Sequence, residues 1–352
     1  MIFAFYLILF LLFFVGMDKK TKLERTPIFS KGDSTAIKGF SAMLVLFHHL
    51  GQNSGELVDP LKINNFAGAN AVGLFFMLSA YGLFKASAKS NGYYKKILLS
   101  KLPFLYVYQV LFNVLYFSLF YKDKNLSTKE TFLRIFNLDL FFGYERLNTY
   151  SWFMTTIIFV YLFVAILLFI SSLLDKKIKR KRLFLAIGAT VISVAVLLVV
   201  RLSSWNNLYH RAILCFAIGA WLSLFEEEIC GFLESKKRRF LITLALLCVA
   251  IPTQILNEEI AGTASFALLF ALLFTRITIK NNKILYSLGV ISLEIYLVQC
   301  IFFLYRPSAI PLWTIMIFIT GATIISAWLI NRGYTIIKAS YNYVKSILLY
   351  KK

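Results

Sequence analysis

Long uncharged apolar runs recur along the whole chain, and no other feature limits its fold as much. Each covers roughly 17 to 25 residues, the length an α-helix needs to cross the hydrocarbon core of a bilayer. The residues are 59% hydrophobic and only 16% charged, where soluble domains average about 25% charged. An ordinary aqueous domain is thereby excluded, and the chain reads as a multi-span, all-α integral membrane protein. Lys and Arg number 38 against 17 acidic residues, a net charge of +21. In a soluble protein such an excess points to nucleic acid. Here the charges lie in short clusters between apolar runs, so they report membrane orientation and imply no nucleic-acid partner.

The first run, Met1 to Gly16, is followed rather than preceded by its charges, DKKTKLER. A cleavable leader has the reverse order, so this run is expected to stay as an anchor with its N-terminus outside, at the short limit for a span. Ten further spans start near Ile37, Ala67, Leu102, Ser151, Leu183, Tyr209, Phe240, Ala261, Ile284 and Ala309, giving eleven crossings. Alternate loops assigned to the cytoplasm then hold 29 of the 38 basic residues against 9 outside, in keeping with the positive-inside rule and a cytoplasmic C-terminus. The expected organisation is an anchor over 1–17, a cytoplasmic linker over 18–35, a ten-span domain over 36–337 and a basic tail over 338–352. The mild exception is the loop from Lys122 to Tyr150, the one long external connection. Phe132, Phe136 and Leu140 recur there at i, i+4, i+8, which predicts one helix lying on the outer leaflet with Lys129 and Glu130 turned to water. Cys215, Cys230, Cys248 and Cys300 show no metal or disulfide spacing.

Ionisable groups inside spans are costly, so each is a functional candidate. The clearest lie in AIKGFSAMLVLFHHL. Adjacent helical residues diverge by about 100°, so His48 and His49 cannot serve one site. Lys38 and His49 are 11 positions apart, close to three turns, and share a helix face at ~16 Å separation. Spacing alone leaves both a structural and a catalytic role open for His49. A metal is not expected, since no two histidines have the i, i+4 spacing of a zinc helix. Tyr106, Gln109, Asn113 and Tyr116 form a polar stripe best read as interhelical hydrogen bonding. Glu294, with Tyr296 and Gln299 nearby, needs a cation or a donor, and it joins His49 as a catalytic candidate.

These residues carry a family likeness. AIKGFSAMLVLFHHL resembles the first core helix of the bacterial membrane acyltransferase family 3, whose hallmark is Arg or Lys, ten residues, then His. NAVGLFFMLSAYGLF resembles the next-helix motif through Gly73, Phe75, Phe76, Ser79 and Gly82. TYSWFMTTIIFVYL resembles a later helix through Trp152 and Phe153, RAILCFAIGAWL another through Arg211, Phe216 and Gly219, and LGVISLEIYLVQ the late element. The motifs stand in the family's order over about residues 33 to 335. Ala80, Lys38 and Gln299 depart from the usual Gly, Arg and His.

The resemblance implies a ten-helix bundle, here with one extra N-terminal helix, in the plasma membrane. It implies acetyl transfer from cytoplasmic acetyl-CoA to a hydroxyl of an extracellular or lipid-linked surface polysaccharide, with no metal. On that reading Lys38, Lys95, Lys96 and Lys101 hold the phosphates of acyl-CoA, and His49 is the general base. Ser79, Trp152, Tyr296 and Arg211 contact substrate, Ser79 and Trp152 as oxyanion candidates. The rival reading is a flippase or polymerase of the same surface glycan. A flippase would be expected to line mid-span with several cations, and a polymerase to carry large external loops.

Overall fold

A computed structural model describes residues 2–21, 27–54, 63–90, 92–121, 124, 126–148, 152–174, 179–202, 212–256, 258–303 and 311–350, with the side chains beyond 338 left aside. The apolar runs fold as helices. The first is α1 (Ile2–Phe14), followed by the two-residue strand β1 (Asp18–Lys19), then α2 (Lys31–Ser54) and α3 (Ala67–Ser87). The run after these opens as α4 (Tyr93–Lys96), widens to a π turn over Ile97–Lys101, and continues as α5 (Leu102–Phe120). Two short helices follow, α6 (Thr128–Ile135) and α7 (Asp139–Phe142), then the long α8 (Trp152–Leu173) and α9 (Lys181–Leu202). The remaining elements are α10 (Leu214–Leu224), α11 (Glu226–Phe232), α12 (Lys236–Ile255), α13 (Glu259–Phe274), β2 (Ile277–Thr278), α14 (Lys283–Val290), α15 (Ser292–Phe303) and α16 (Leu312–Tyr350).

By length and apolarity, six of these helical runs can each cross a membrane, and seven if the bent pair α14–α15 counts as one. That is fewer than the eleven expected crossings. α1, α10 and α13 are apolar but shorter, and α2 carries the polar Lys38, His48, His49, Gln52 and Asn53 that lower its apolarity. α3 is buried on nearly all sides and forms the centre of the bundle, whereas α12 is almost wholly exposed at its edge. A helix apolar all round belongs at one of those two places, according to whether protein or lipid surrounds it.

Two crossings bring backbones into contact. A Cβ on Gly39 of α2 would lie 2.1 Å from the Leu285 carbonyl oxygen, and one on Gly289 of α14 would lie 1.8 Å from that of Thr35. Gly219 of α10 meets the Met77 carbonyl of α3 in the same way. Without water to drive apolar surfaces together, such close approach of small residues is a main source of helix association in lipid.

α1 packs onto the bundle. Phe5 meets Phe47 at 5.1 Å between ring centroids, and Phe13 meets Phe40 at 4.9 Å and Phe270 at 5.7 Å. The stretch after it is strapped down. β1 pairs antiparallel with β2, Asp18 opposite Thr278 and Lys19 opposite Ile277. Lys20 Nζ donates to the carbonyls of Pro27, Ile28 and Phe274. Buried Asp33 accepts from Ser30 Oγ, Thr278 Oγ1 and the Ile279 amide. Glu226, also buried, accepts from the Ile28 amide, Tyr81 and Lys85. Its neighbour Cys230 has its thiol pKa pushed up, by burial first and then by Glu226.

The single helix predicted over Phe132–Leu140 is divided. α6 ends at Ile135, Asn137 adopts φ 61°, and α7 starts afresh at Asp139. Asn is among the few residues that tolerate that conformation, and its side chain binds Thr155 Oγ1 at 2.6 Å. Leu133 is buried while Phe132 is 53% exposed, so the predicted apolar face is not the one that packs. The polar stripe of α5 explains the docking: Asn113 Nδ2 donates to the Ile135 carbonyl at 2.9 Å, and the Tyr106 hydroxyl to that of Phe136 at 3.1 Å.

Candidate functional site

α2 is one unbroken helix from Lys31 to Ser54, so Lys38 and His49 keep the phase and the ~16 Å axial separation that helix geometry dictates. The two histidines meet different helices, although their rings stay 5.2 Å apart between centroids. The His48 ring lies against Gly68 at the start of α3, where a Cβ would come within 2.3 Å of it. The His49 ring meets Phe303 at the end of α15, 5.9 Å between centroids, so it faces protein and not lipid. His49 Nδ1 is 3.1 Å from Gln52 Oε1 one turn on. An amide oxygen only accepts, so this contact is a hydrogen bond in the tautomer with the proton on Nδ1, the tautomer that leaves the lone pair on Nε2. Between Lys38 and His49, near the same face, Ser41 is fully buried and its Oγ has no hydrogen-bond partner.

At the opposite end of that face the structure gathers cations. Lys38 and Lys101 are near enough to repel one another, as are Lys96 and Lys101. Lys101 Nζ lies 5.6 Å from the Tyr93 ring centre and 5.9 Å from that of Tyr161, and Lys96 Nζ lies 6.0 Å from the Tyr93 ring. Ser79 lies beside the Tyr161 hydroxyl, close to the same group. Lys95 is exposed and stands outside these contacts. The π turn over Ile97–Lys101 lies directly before Pro103, whose ring crowds the carbonyl four residues back. A widened turn relieves that crowding and re-aims the side chains on it, Lys101 among them. Tyr93 and Tyr161 had no sequence signal, being two tyrosines among 19.

Glu294 does not join His49. Its Oε1 accepts from Asn331 Nδ2 of α16 at 2.9 Å and, more weakly, from the Tyr108 hydroxyl of α5 at 3.5 Å. Gly289 touches Thr35, and Phe303 touches His49. α15 therefore runs alongside α2 in the same direction, with Glu294 towards the lysine end and about 13 Å of helix rise below Phe303. Tyr296 and Trp152 both pack on Phe153, at 5.5 and 6.5 Å, and Phe153 rests on Phe76 of α3. Gln299 is fully buried and its Oε1 has no hydrogen-bond partner. Arg211 lies outside the described residues.

Residues 33–332, the stretch that holds all of these groups, match the acyltransferase 3 family model, described as an acyltransferase domain. The chain belongs to the acyltransferase 3 family. No curated protein and no solved structure matches it. In this membrane acyltransferase the family domain opens at Asp33, the buried carboxylate that joins α2 to β2. Several motif positions prove to be packing residues. Gly219 and Gly289 seat helix crossings, and Phe153 with Phe76 forms an aromatic floor. Lys38, Lys101, Ser79, His49, Glu294, Tyr296 and Gln299 are motif-derived positions with polar groups inside or at the rim of the bundle.

Proposed function

We propose that this acyltransferase moves an acetyl group from acetyl-CoA, held at the lysine end on the cytoplasmic side of the plasma membrane, to a hydroxyl of a surface glycan or lipid-linked saccharide reaching the histidine end. One observation carries this reading: Lys38 and an oriented imidazole occupy the two ends of one α2 face, and Lys101, with Lys96 beside it, comes up to Lys38 from the neighbouring helix. Clustered cations cost energy unless an anion joins them, and a diphosphate is such an anion. A pantetheine arm of roughly 15 to 20 Å matches the ~16 Å between Lys38 and His49.

In the reaction, His49 Nε2 takes the proton of the acceptor hydroxyl while the oxygen bonds to the thioester carbonyl carbon. The C–S bond breaks, and the imidazolium returns the proton to the departing thiolate. Gln52 Oε1 holds Nδ1–H throughout and steadies the positive charge on the ring. Glu294 is assigned to positioning, because its hydrogen bonds tie α5, α15 and α16 together at a distance from His49. Ser79, near Tyr161 and so near Lys101, is assigned to the donor end. Trp152 and Tyr296, on the aromatic floor, are the acceptor-side candidates along with Arg211.

The test is mass spectrometry of the surface glycan from cells carrying wild type or His49→Ala, with membrane insertion checked in both. Loss of ester groups from a full-length glycan in the variant is the expected outcome. Normal esterification by an inserted His49→Ala protein would remove the base assignment, and a shortened or missing glycan would favour a flippase or polymerase.

A further inference from the structure

Next to the lysine cluster is a cavity of about 200 Å³ walled by the ends of α3 and α8 and the starts of α4 and α9. Tyr93, Tyr94, Ser87, Ser171, Lys181 and Arg182 line it. Tyr93 is shared, since its ring also sits under Lys96 and Lys101, so the cavity and the cluster lie on either side of one residue. Ser171 is the telling residue. It is 1% exposed, and its Oγ has no hydrogen-bond partner. Serines within apolar helices usually satisfy that oxygen on a carbonyl three or four residues back, as Ser172 does with Phe169 at 2.7 Å and Ser193 with Ala189 at 2.9 Å. Ser171 forgoes that bond inside a cavity.

The other walls fit a particular chemistry. α9 begins here with Lys181 and Arg182, so the positive end of a 22-residue helix and two cationic side chains meet at one point. Arg182 is fixed by Glu228 at 2.7 Å, by the Leu224 carbonyl, and by the Phe225 ring at 4.8 Å. Two tyrosine rings offer flat apolar faces, and of the four serines on the wall Ser87 and Ser172 donate to the carbonyls of Phe84 and Phe169, which leaves the Ser171 hydroxyl as the buried donor facing the cavity. Cations, hydroxyls and aromatic rings together suit a phosphorylated nucleoside, whereas a bare phosphate has no use for the rings.

We propose that this cavity binds the nucleotide end of the acyl-CoA donor, its adenine and 3′-phosphorylated ribose, while the diphosphate lies on Lys96 and Lys101. The inference rests on the donor assignment above and adds to it a second subsite, on helices that share no residue with His49 or Lys38.

The test compares acetyl-CoA with S-acetyl-4′-phosphopantetheine, which keeps the thioester arm but lacks the nucleotide, using purified full-length protein in liposomes. Wild type should prefer acetyl-CoA by about tenfold or more in kcat/KM. Ser171→Phe fills the cavity from within, and Ala88→Trp fills it from an exposed position where folding is safe. Both should lower the ratio of the two donors several-fold, to the residual preference that the second phosphate on Lys96 and Lys101 supplies. A ratio that stays at the wild-type value in folded Ala88→Trp overturns the nucleotide site and leaves the donor assignment standing. Failure of wild type to use acetyl-CoA at all overturns the donor assignment, and the site with it. A wild-type ratio that instead follows the anionic-lipid content of the liposomes assigns the cavity to a lipid headgroup and overturns the proposal.

Discussion

Replacing Gln52 with leucine keeps the side-chain volume roughly constant and removes the acceptor of His49 Nδ1, leaving the imidazole itself in place. At 3.1 Å the contact is an ordinary hydrogen bond, worth about 0.5 to 1.5 kcal/mol while the ring is neutral and about 1.5 to 3 kcal/mol once it is charged. The difference, about 1 to 1.5 kcal/mol, is felt only as the imidazolium forms. It therefore belongs to kcat, where it amounts to roughly a five- to thirteenfold loss. KM for acetyl-CoA should stay put, because the lysines lie three turns away. Removing the base itself by His49→Ala should cost about 10² to 10⁴, so Gln52→Leu is expected between wild type and that variant. The assay is transfer of radiolabelled acetyl from acetyl-CoA to acceptor by protein in liposomes, with kcat and KM measured separately. An unchanged kcat in Gln52→Leu, or a loss equal to that of His49→Ala, would refute the orientation argument.

Lys101→Gln should raise KM for acetyl-CoA several-fold with little change in kcat, since an ammonium among its neighbours Lys38 and Lys96 acts in ground state and transition state alike; steady-state kinetics check this. Gly289→Ala should destabilise the protein by about 1 to 3 kcal/mol, because its methyl would overlap the Thr35 carbonyl. A fall in the thermal midpoint of detergent-purified protein reports that loss. Glu226→Ala should cost about 3 to 5 kcal/mol by leaving Lys85, Tyr81 and the Ile28 amide without their buried acceptor. Glu228→Ala, which removes an exposed partner of Arg182, should change the same midpoint hardly at all.

What could be read without coordinates was whatever depends on one helix at a time. Run length gave the helices, and a three-turn interval placed Lys38 and His49 on one face, as the intact α2 retains. The stripe on α5 was also visible as a stripe, though its partners, the last carbonyls of α6, were not. Groups that meet only through tertiary packing left no trace. Tyr93 and Tyr161 reach Lys101 from two helices, and the π turn before Pro103 defeats the counting that assigns a residue to a face. Glu294 shows the limit from the opposite side. A carboxylate among apolar residues signals cost, but the sign is the same whether proton transfer or a clamp from Asn331 and Tyr108 meets that cost. The β1–β2 pairing is too short for any alternation to show, and a single Asn137 was enough to end the helix expected across Phe136.

The crossing of α2 with α14 ties the histidine-bearing helix to a segment made much later. At about 5 to 20 residues per second, the roughly 250 residues between Gly39 and Gly289 take on the order of 12 to 50 seconds to emerge from the ribosome. Throughout that interval the groove at Gly39 has no occupant, and His49 lacks the ring of Phe303 beside it. Activity should thus switch on near the end of synthesis, and nascent chains stalled before α14 would present an unfilled seam to the membrane's quality-control proteases.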